Sequence, residues 1–418
     1  MGSAGGAHCG CSESGTRGSV SADRRLRVLI AADTYPPDVN GAAVFCHRLA
    51  RHMSARGHEV HIAAARPTPG SDAVEQRPEA TIHRFRSFAA PTHEYYRLCL
   101  PWLVEPAMNR LVGQLQPDVI HVQCHYMVGK AAILAAEKHR VRLIATNHFM
   151  PENLDPFLPF PQWFKNIVSR NSWRDMGRLM SKASVVTTPT PLAAQTMKDK
   201  GGFDHVLPLS NGIDVDYYSP RPGEELPRRS RPTVLFVGRL AVEKNVDVLI
   251  EAVAKTDPDL GICAEIIGDG EQRDLLREQI AELGLEDRVA MRGHVSDAEL
   301  REAYIAADVF CQPGTAELQS LVSLEAMSAA NPVVLADALA LPHLVVEGQN
   351  GYLFEPFNSD DLAQQLNRVF RKTSQQRRDM GARSREKATQ HAIEKTMEAY
   401  EELYCGADWV TTEQFKDW

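Results

Sequence analysis

Thr233-Val-Leu-Phe-Val-Gly238-Arg239-Leu-Ala-Val-Glu243-Lys244-Asn245-Val-Asp-Val-Leu-Ile250 decides the fold class. A β-branched and aromatic run ends at a glycine, a short loop carries Arg239 and Lys244, and apolar residues then recur at helical spacing. The stretch reads as strand, loop and helix, with two cations in the loop. Loops at the carboxyl ends of parallel strands are where an open α/β sheet binds phosphorylated ligands. Either cation alone also fits an ordinary surface charge, so the loop needs a second feature beside it.

Gly314-Thr-Ala-Glu317-Leu-Gln-Ser320-Leu-Val-Ser-Leu-Glu325-Ala-Met327 supplies that feature. Ser320 is a good N-cap residue, and Leu321, Val322, Leu324, Ala326 and Met327 form a helix-compatible run. Glu317 then lies in the loop before the helix and Glu325 about one turn inside it. Backbone N–H groups at Ser320, Leu321 and Val322, helped by the helix dipole, suit a diphosphate, and the flanking carboxylates suit sugar and ribose hydroxyls. The alternative is a solvated Glu ahead of a capped core helix.

Taken in order, Gly238-Arg239-Leu240, Glu243-Lys244, Glu317 spaced ahead of Glu325, Ala326-Met327, Asn331-Pro-Val-Val and Glu347-Gly348-Gln-Asn350-Gly351-Tyr-Leu-Phe354-Glu-Pro356 form one pattern. It resembles the nucleotide-binding half of the retaining glycosyltransferases of family 4. The resemblance implies an α/β chain of the GT-B fold, two Rossmann-like doubly wound domains facing across a cleft. The expected organisation is a disordered tail over 1–24, an acceptor-binding domain over 25–210, a nucleotide-sugar domain over 211–391, and a C-terminal helix over 392–418 that returns to the first domain.

Composition agrees with two domains. The chain has 418 residues, 44% of them hydrophobic, which is more than one core usually serves. A net charge of -8 gives no overall basic field for nucleic acid, and the clusters Arg228-Arg229-Ser-Arg231 and Arg371 to Lys387 read as solvated faces or linker. Eight scattered cysteines suggest reduced thiols in the cytoplasm rather than a disulfide framework. No apolar run reaches the length of a membrane span, and no secretory leader is expected.

In the first half, Arg27-Val-Leu-Ile-Ala-Ala reads as a buried parallel strand, Tyr35 to Ala43 as a loop, Val44 to Arg56 as a helix and Gly57 to Ala64 as the next strand. Asp118 to Val122 and Val141 to Thr146 read as later strands of the same sheet. In the second half, strands are expected around Val234, Ala264, Val289, Val309 and Val333.

Several roles rest on the resemblance. It places Asn40-Gly41 at a glycine-rich loop that approaches the transferred sugar and diphosphate, although one Gly stands where many relatives have two. A plain turn is the other reading. His148 would face the sugar from the acceptor domain, and Glu152-Asn153 and His125 would bind the acceptor. Gly238, Gly268, Gly293 and His294 would wall the donor site. Glu317 would orient the sugar, Glu325 the ribose, and Arg239 and Lys244 would neutralise the leaving diphosphate without a metal or cofactor. Asp214-Val-Asp216 and Asp257-Pro-Asp259 lie far from these motifs and are not read as metal ligands.

The implied reaction moves a hexose from a UDP-sugar or GDP-sugar to an acceptor hydroxyl with retention. Asn245 in place of the more usual Gly, and Pro151-Glu152-Asn153, resemble members that glycosylate diacylglycerol-type lipids. The aromatic and basic stretch Leu154 to Arg174 fits either an interfacial helix at the inner face of a membrane or ordinary core packing. A cyclitol or natural-product acceptor is the alternative. From other classes, a sugar-nucleotide epimerase would need further acid–base groups, and a silent nucleotide-sugar binder would tolerate loss of residues that are all present.

Overall fold

The computed structural model describes residues 24–38, 40–90, 93–151, 161–221, 223–224 and 229–407, without the side chains of 90 and 93–96. In chain order the first strands are β1 (Arg27–Ala32), β2 (Glu59–Ala65), β3 (Ala73–Gln76), β4 (Thr81–Phe85), β5 (Phe88–Ala90), β6 (His93–Leu98), β7 (Val119–Val122), β8 (Arg142–Thr146), β9 (Val185–Thr188) and β10 (Leu207–Pro208). All but β5 and β6 form one sheet in the order β10-β9-β8-β7-β1-β2-β4-β3, parallel except for β3 against β4. The apolar run of β1 is continuous because helices cover both faces, leaving five of its six residues buried.

The second sheet contains β11 (Thr233–Val237), β12 (Cys263–Ile267), β13 (Val289–Gly293), β14 (Val309–Gln312), β15 (Val333–Ala336) and β16 (Gly351–Phe354). Its order is β13-β12-β11-β14-β15-β16 and every pairing is parallel. Each sheet therefore reverses strand order beside its first strand: β1 between β7 and β2, β11 between β12 and β14. Crevices at such reversals, beyond the carboxyl ends of the strands, are where this architecture binds ligands.

The short strands β3, β4, β9 and β10 and the β5–β6 hairpin were not expected from the sequence, since runs as brief as Val185-Val-Thr-Thr carry little periodicity. The first helix is Gly41–Ala55, beginning earlier than the apolar pattern indicates because Asn40 caps it by accepting from the Ala43 amide. The last helix, Ile393–Tyr404, packs Met397, Tyr400 and Leu403 among Val28, Ile30 and Phe45 of the first sheet's core. Glu152, Asn153 and the tail lie outside the described residues.

Candidate active site

The loop after β11 and the loop after β14 meet. Glu243 accepts at its carbonyl from the Thr315 amide at 3.1 Å, and Asn245 donates from Nδ2 to the Pro313 carbonyl at 3.1 Å. This fixes Lys244 opposite Glu317, and the Lys244 ammonium donates directly to Glu317 Oε1. Arg239 is more open, its guanidinium 2.5 Å from Glu243 Oε1 and 3.8 Å from Glu271 Oε2. Both loop cations thus already hold carboxylates that a diphosphate would have to displace or share.

Ser320 caps the helix Leu321–Ser328, accepting from the Ser323 amide, so its hydroxyl is spent on the backbone and only 1% of the residue is exposed. The Leu321 and Val322 amides have no acceptor among the described residues and carry the helix's positive end. Glu325 is buried, takes a hydrogen bond from Tyr304 Oη at 3.0 Å and lies 4.0 Å from the guanidinium of Arg48. Burial raises its carboxyl above the ordinary range, with Arg48 pulling the other way. Arg48 reaches in from the first domain's helix Gly41–Ala55, a partner invisible at sequence level because it lies so far from Glu325 in the chain.

Glycines around the second sheet answer mainly to packing. A Cβ on Gly268 would sit 1.8 Å from the Gly238 carbonyl oxygen, so these two loops approach as closely as backbone allows. Gly293 is in the left-handed region and His294 beyond it is exposed. Gly41 differs: a Cβ there meets nothing within 4 Å, so nothing in the described fold demands glycine. Asn40 spends its side chain on capping, leaving its backbone as the part that could face a ligand.

His148 follows β8 and packs against Phe45, the rings tilted at 55° with centroids 4.8 Å apart. Gln123, after β7, accepts from His148 Nε2 at 2.7 Å, which sets the ring proton on Nε2 and leaves Nδ1 as an acceptor. Burial lowers the His148 pKa to about 4, so the ring is neutral near pH 7. His125 is 3% exposed, packs against Tyr126 with the rings tilted and lies 3.5 Å from Ser172 Oγ.

Among the described residues no His, Cys, Asp or Glu cluster has metal-ligand geometry. Asp214 and Asp257 act as N-caps, accepting from the Tyr217 and Asp259 amides. A cavity of about 390 Å³ opens between the domains, with Arg239, Glu243 and Glu317 on one wall and Met150, Leu192 and Thr196 on the other.

Two family models match in succession, Glycosyltransferase Family 4 over residues 39–217 and Glycosyl transferases group 1 over 222–387. The chain belongs to the family-4 glycosyltransferases. It is a nucleotide-sugar glycosyltransferase with the GT-B fold, its two parallel sheets being the two halves. A GDP-mannose-dependent alpha-mannosyltransferase of Mycolicibacterium smegmatis is 28% identical over 79% of this chain and 84% of the relative. An alpha-monoglucosyldiacylglycerol synthase of Acholeplasma laidlawii is 24% identical over 82% of this chain and 87% of its own length. Among solved structures, Anabaena HepE in complex with UDP superposes with a TM-score of 0.69 at 21% identity, covering 91% of this chain and all of the other.

Proposed function

We propose that this glycosyltransferase moves a hexose from UDP-glucose or GDP-mannose to a hydroxyl of a glycerolipid, with retention at the anomeric carbon and without a metal ion. The observation that carries the reading is the Lys244–Glu317 pair, set in the cleft beside Arg239 and ahead of the open N-terminus of Leu321–Ser328. Diphosphate on the Leu321 and Val322 amides would be neutralised by Lys244 and Arg239 as it leaves, each group contributing on the order of ~3 kcal/mol. Glu317, exchanging its ammonium partner in part for sugar hydroxyls, would orient the ring, and His148 Nδ1 would accept from a hydroxyl across the cleft. The acceptor hydroxyl then attacks the face that the diphosphate leaves, giving up its proton to a phosphate oxygen. Pairing the donor between two domains would keep water from the oxocarbenium-like carbon.

Lipid as acceptor draws support from the Acholeplasma relative, an alpha-monoglucosyldiacylglycerol synthase, and from the helix Gln162–Met180. Its C-terminal half is docked through Trp173, Met176 and Met180, whereas its first half exposes Trp163 and Ile167 beside Arg170 and Arg174. Such a face suits the surface of an anionic membrane at the cytoplasmic side. No described helix is long and apolar enough to cross a membrane. The net charge of -8 favours a soluble acceptor instead, and that is the second reading.

The deciding assay is release of nucleotide diphosphate from UDP-glucose and from GDP-mannose in EDTA, with and without diacylglycerol vesicles. Release from one donor that rises with vesicles is the expected result. Turnover indifferent to vesicles would replace the lipid with a soluble acceptor, and turnover abolished by EDTA would overturn metal independence.

A further inference from the structure

The interdomain cavity has a mixed lining. Arg239, Glu243, Glu317 and Lys200 are charged, Thr190, Thr196 and Thr315 carry hydroxyls, and Phe149, Met150, Leu192, Leu318 and Leu339 are apolar. The apolar side chains offer sugar hydroxyls no hydrogen-bond partner, so that part of the lining suits a hydrocarbon better than the donor. Water is no better an occupant, since apolar side chains from two domains left facing solvent gain by being covered.

Leu339 gives the cavity its lip. It is 49% exposed and its backbone lies at φ 45, in the left-handed region that Gly or Asn adopts readily and Leu does not. Were this a turn and nothing more, a left-handed former would serve better than an exposed leucine. The next residue, Ala340, donates its amide to the Glu317 carbonyl at 3.2 Å, so the lip and the carboxylate share one backbone contact. Across the gap, Leu192 is 46% exposed on the helix Pro191–Gly201, whose cap Thr190 donates to the Leu318 carbonyl at 3.1 Å. Both walls are therefore tied to the Glu317 loop.

We propose that this cavity seats the hydrocarbon portion of the acceptor, one acyl chain of a diacylglycerol-type lipid, with the chain running outward between Leu192 and Leu339 and the hydroxyl end at Glu317. The proposal rests on the lipid-transfer reading above and adds where the chain goes. Its volume of about 390 Å³ lies within the range of small-molecule sites, and Glu317 on the same lining would bring the hydroxyl end beside the sugar.

The test uses the full chain with UDP-glucose and GDP-mannose. A diacylglycerol bearing a diazirine at the end of one acyl chain is photolysed on the protein and the labelled peptides are mapped. In parallel, transfer to 1,2-dioctanoylglycerol is measured for Leu339→Asn, which suits the left-handed backbone while removing the apolar lip, and for Thr196→Trp, which fills the gap from a half-buried position on the helix Pro191–Gly201. Label on 192–196 or 339–340, with acceptor KM raised about tenfold in either variant, is the expected outcome. Label confined to Gln162–Met180, with acceptor KM unchanged in both variants, would overturn the cavity as the chain's seat while leaving lipid transfer intact. Absence of transfer to diacylglycerol from either donor would overturn both readings together.

Discussion

Lys244 and Glu317 belong to loops of different strands and are joined side chain to side chain, each only partly exposed. An ordinary surface pair of this kind contributes little to stability, about 0–1 kcal/mol. Its value lies in placing a cation and a carboxylate where diphosphate and sugar would arrive together. Lys244→Ala and Glu317→Gln are each expected to lower kcat by about 10²–10³ with little change in Tm. The double variant is expected to fall hardly further than the worse single one, because groups acting as a unit are not additive. Steady-state release of nucleotide diphosphate reads all three; losses that multiply would show that the two residues act separately.

At the scale of elements, the β11 loop and its partner show what local sequence does and does not disclose. Asn245 sits at φ 48 and is buried, with Nδ2 bonded to the Pro313 carbonyl and 3.3 Å from Thr315 Oγ1. Gly and Asn both adopt a left-handed backbone readily, which gives Asn at this position a backbone reason beside the resemblance to lipid-glycosylating members. Asn245→Gly should keep the backbone and lose the tether, costing about 1 kcal/mol, and Asn245→Val should cost about 1–2 kcal/mol more. Urea midpoints test this, and a changed acceptor preference in Asn245→Gly would show a specificity role. The strand, the loop and the Ser320 cap were legible because each is short-range chemistry: a β-branched run, a glycine stop, a hydroxyl before an apolar helix. Arg48 beside Glu325, Leu339 at the cavity mouth and the burial of His125 were not, because they depend on segments brought together from distant parts of the chain. His125 shows the limit well: its place after β7 was read correctly, yet place along a strand does not say which way a side chain packs.

Over the whole molecule, the chain crosses between domains twice, and the crossings are stitched where the Ile213 amide donates to the His391 carbonyl at 2.9 Å and the Ile393 amide to the Ile213 carbonyl at 2.8 Å. From there the helix Ile393–Tyr404 runs onto the first sheet and closes a buried polar network. His121 bonds Tyr404 Oη and Thr146 Oγ1, both at 2.6 Å, and Tyr400 Oη reaches Thr146 and Thr187 at 3.2 and 3.1 Å. Burial, and next the charge that His148 would carry, lower the His121 pKa to about 3. An unfolded histidine titrates near 6.5, so between about pH 6.5 and 3 the unfolded chain binds a proton that the folded chain refuses. The contribution is therefore complete above pH 6.5 and is lost as pH falls, with a limiting slope of about 1.4 kcal/mol per unit. His148 and His125, both lowered to about 4 by burial, act in the same sense. Glu325 acts oppositely, since burial raises its pKa. Between pH 7.5 and 5 the Tm should fall. His121→Gln should start lower at pH 7.5, having lost its fitted bonds, yet fall less steeply across that window. Parallel Tm curves for the two proteins would mean that His121 takes up its proton alike in folded and unfolded chains, and that this junction contributes nothing to the acid sensitivity of the fold.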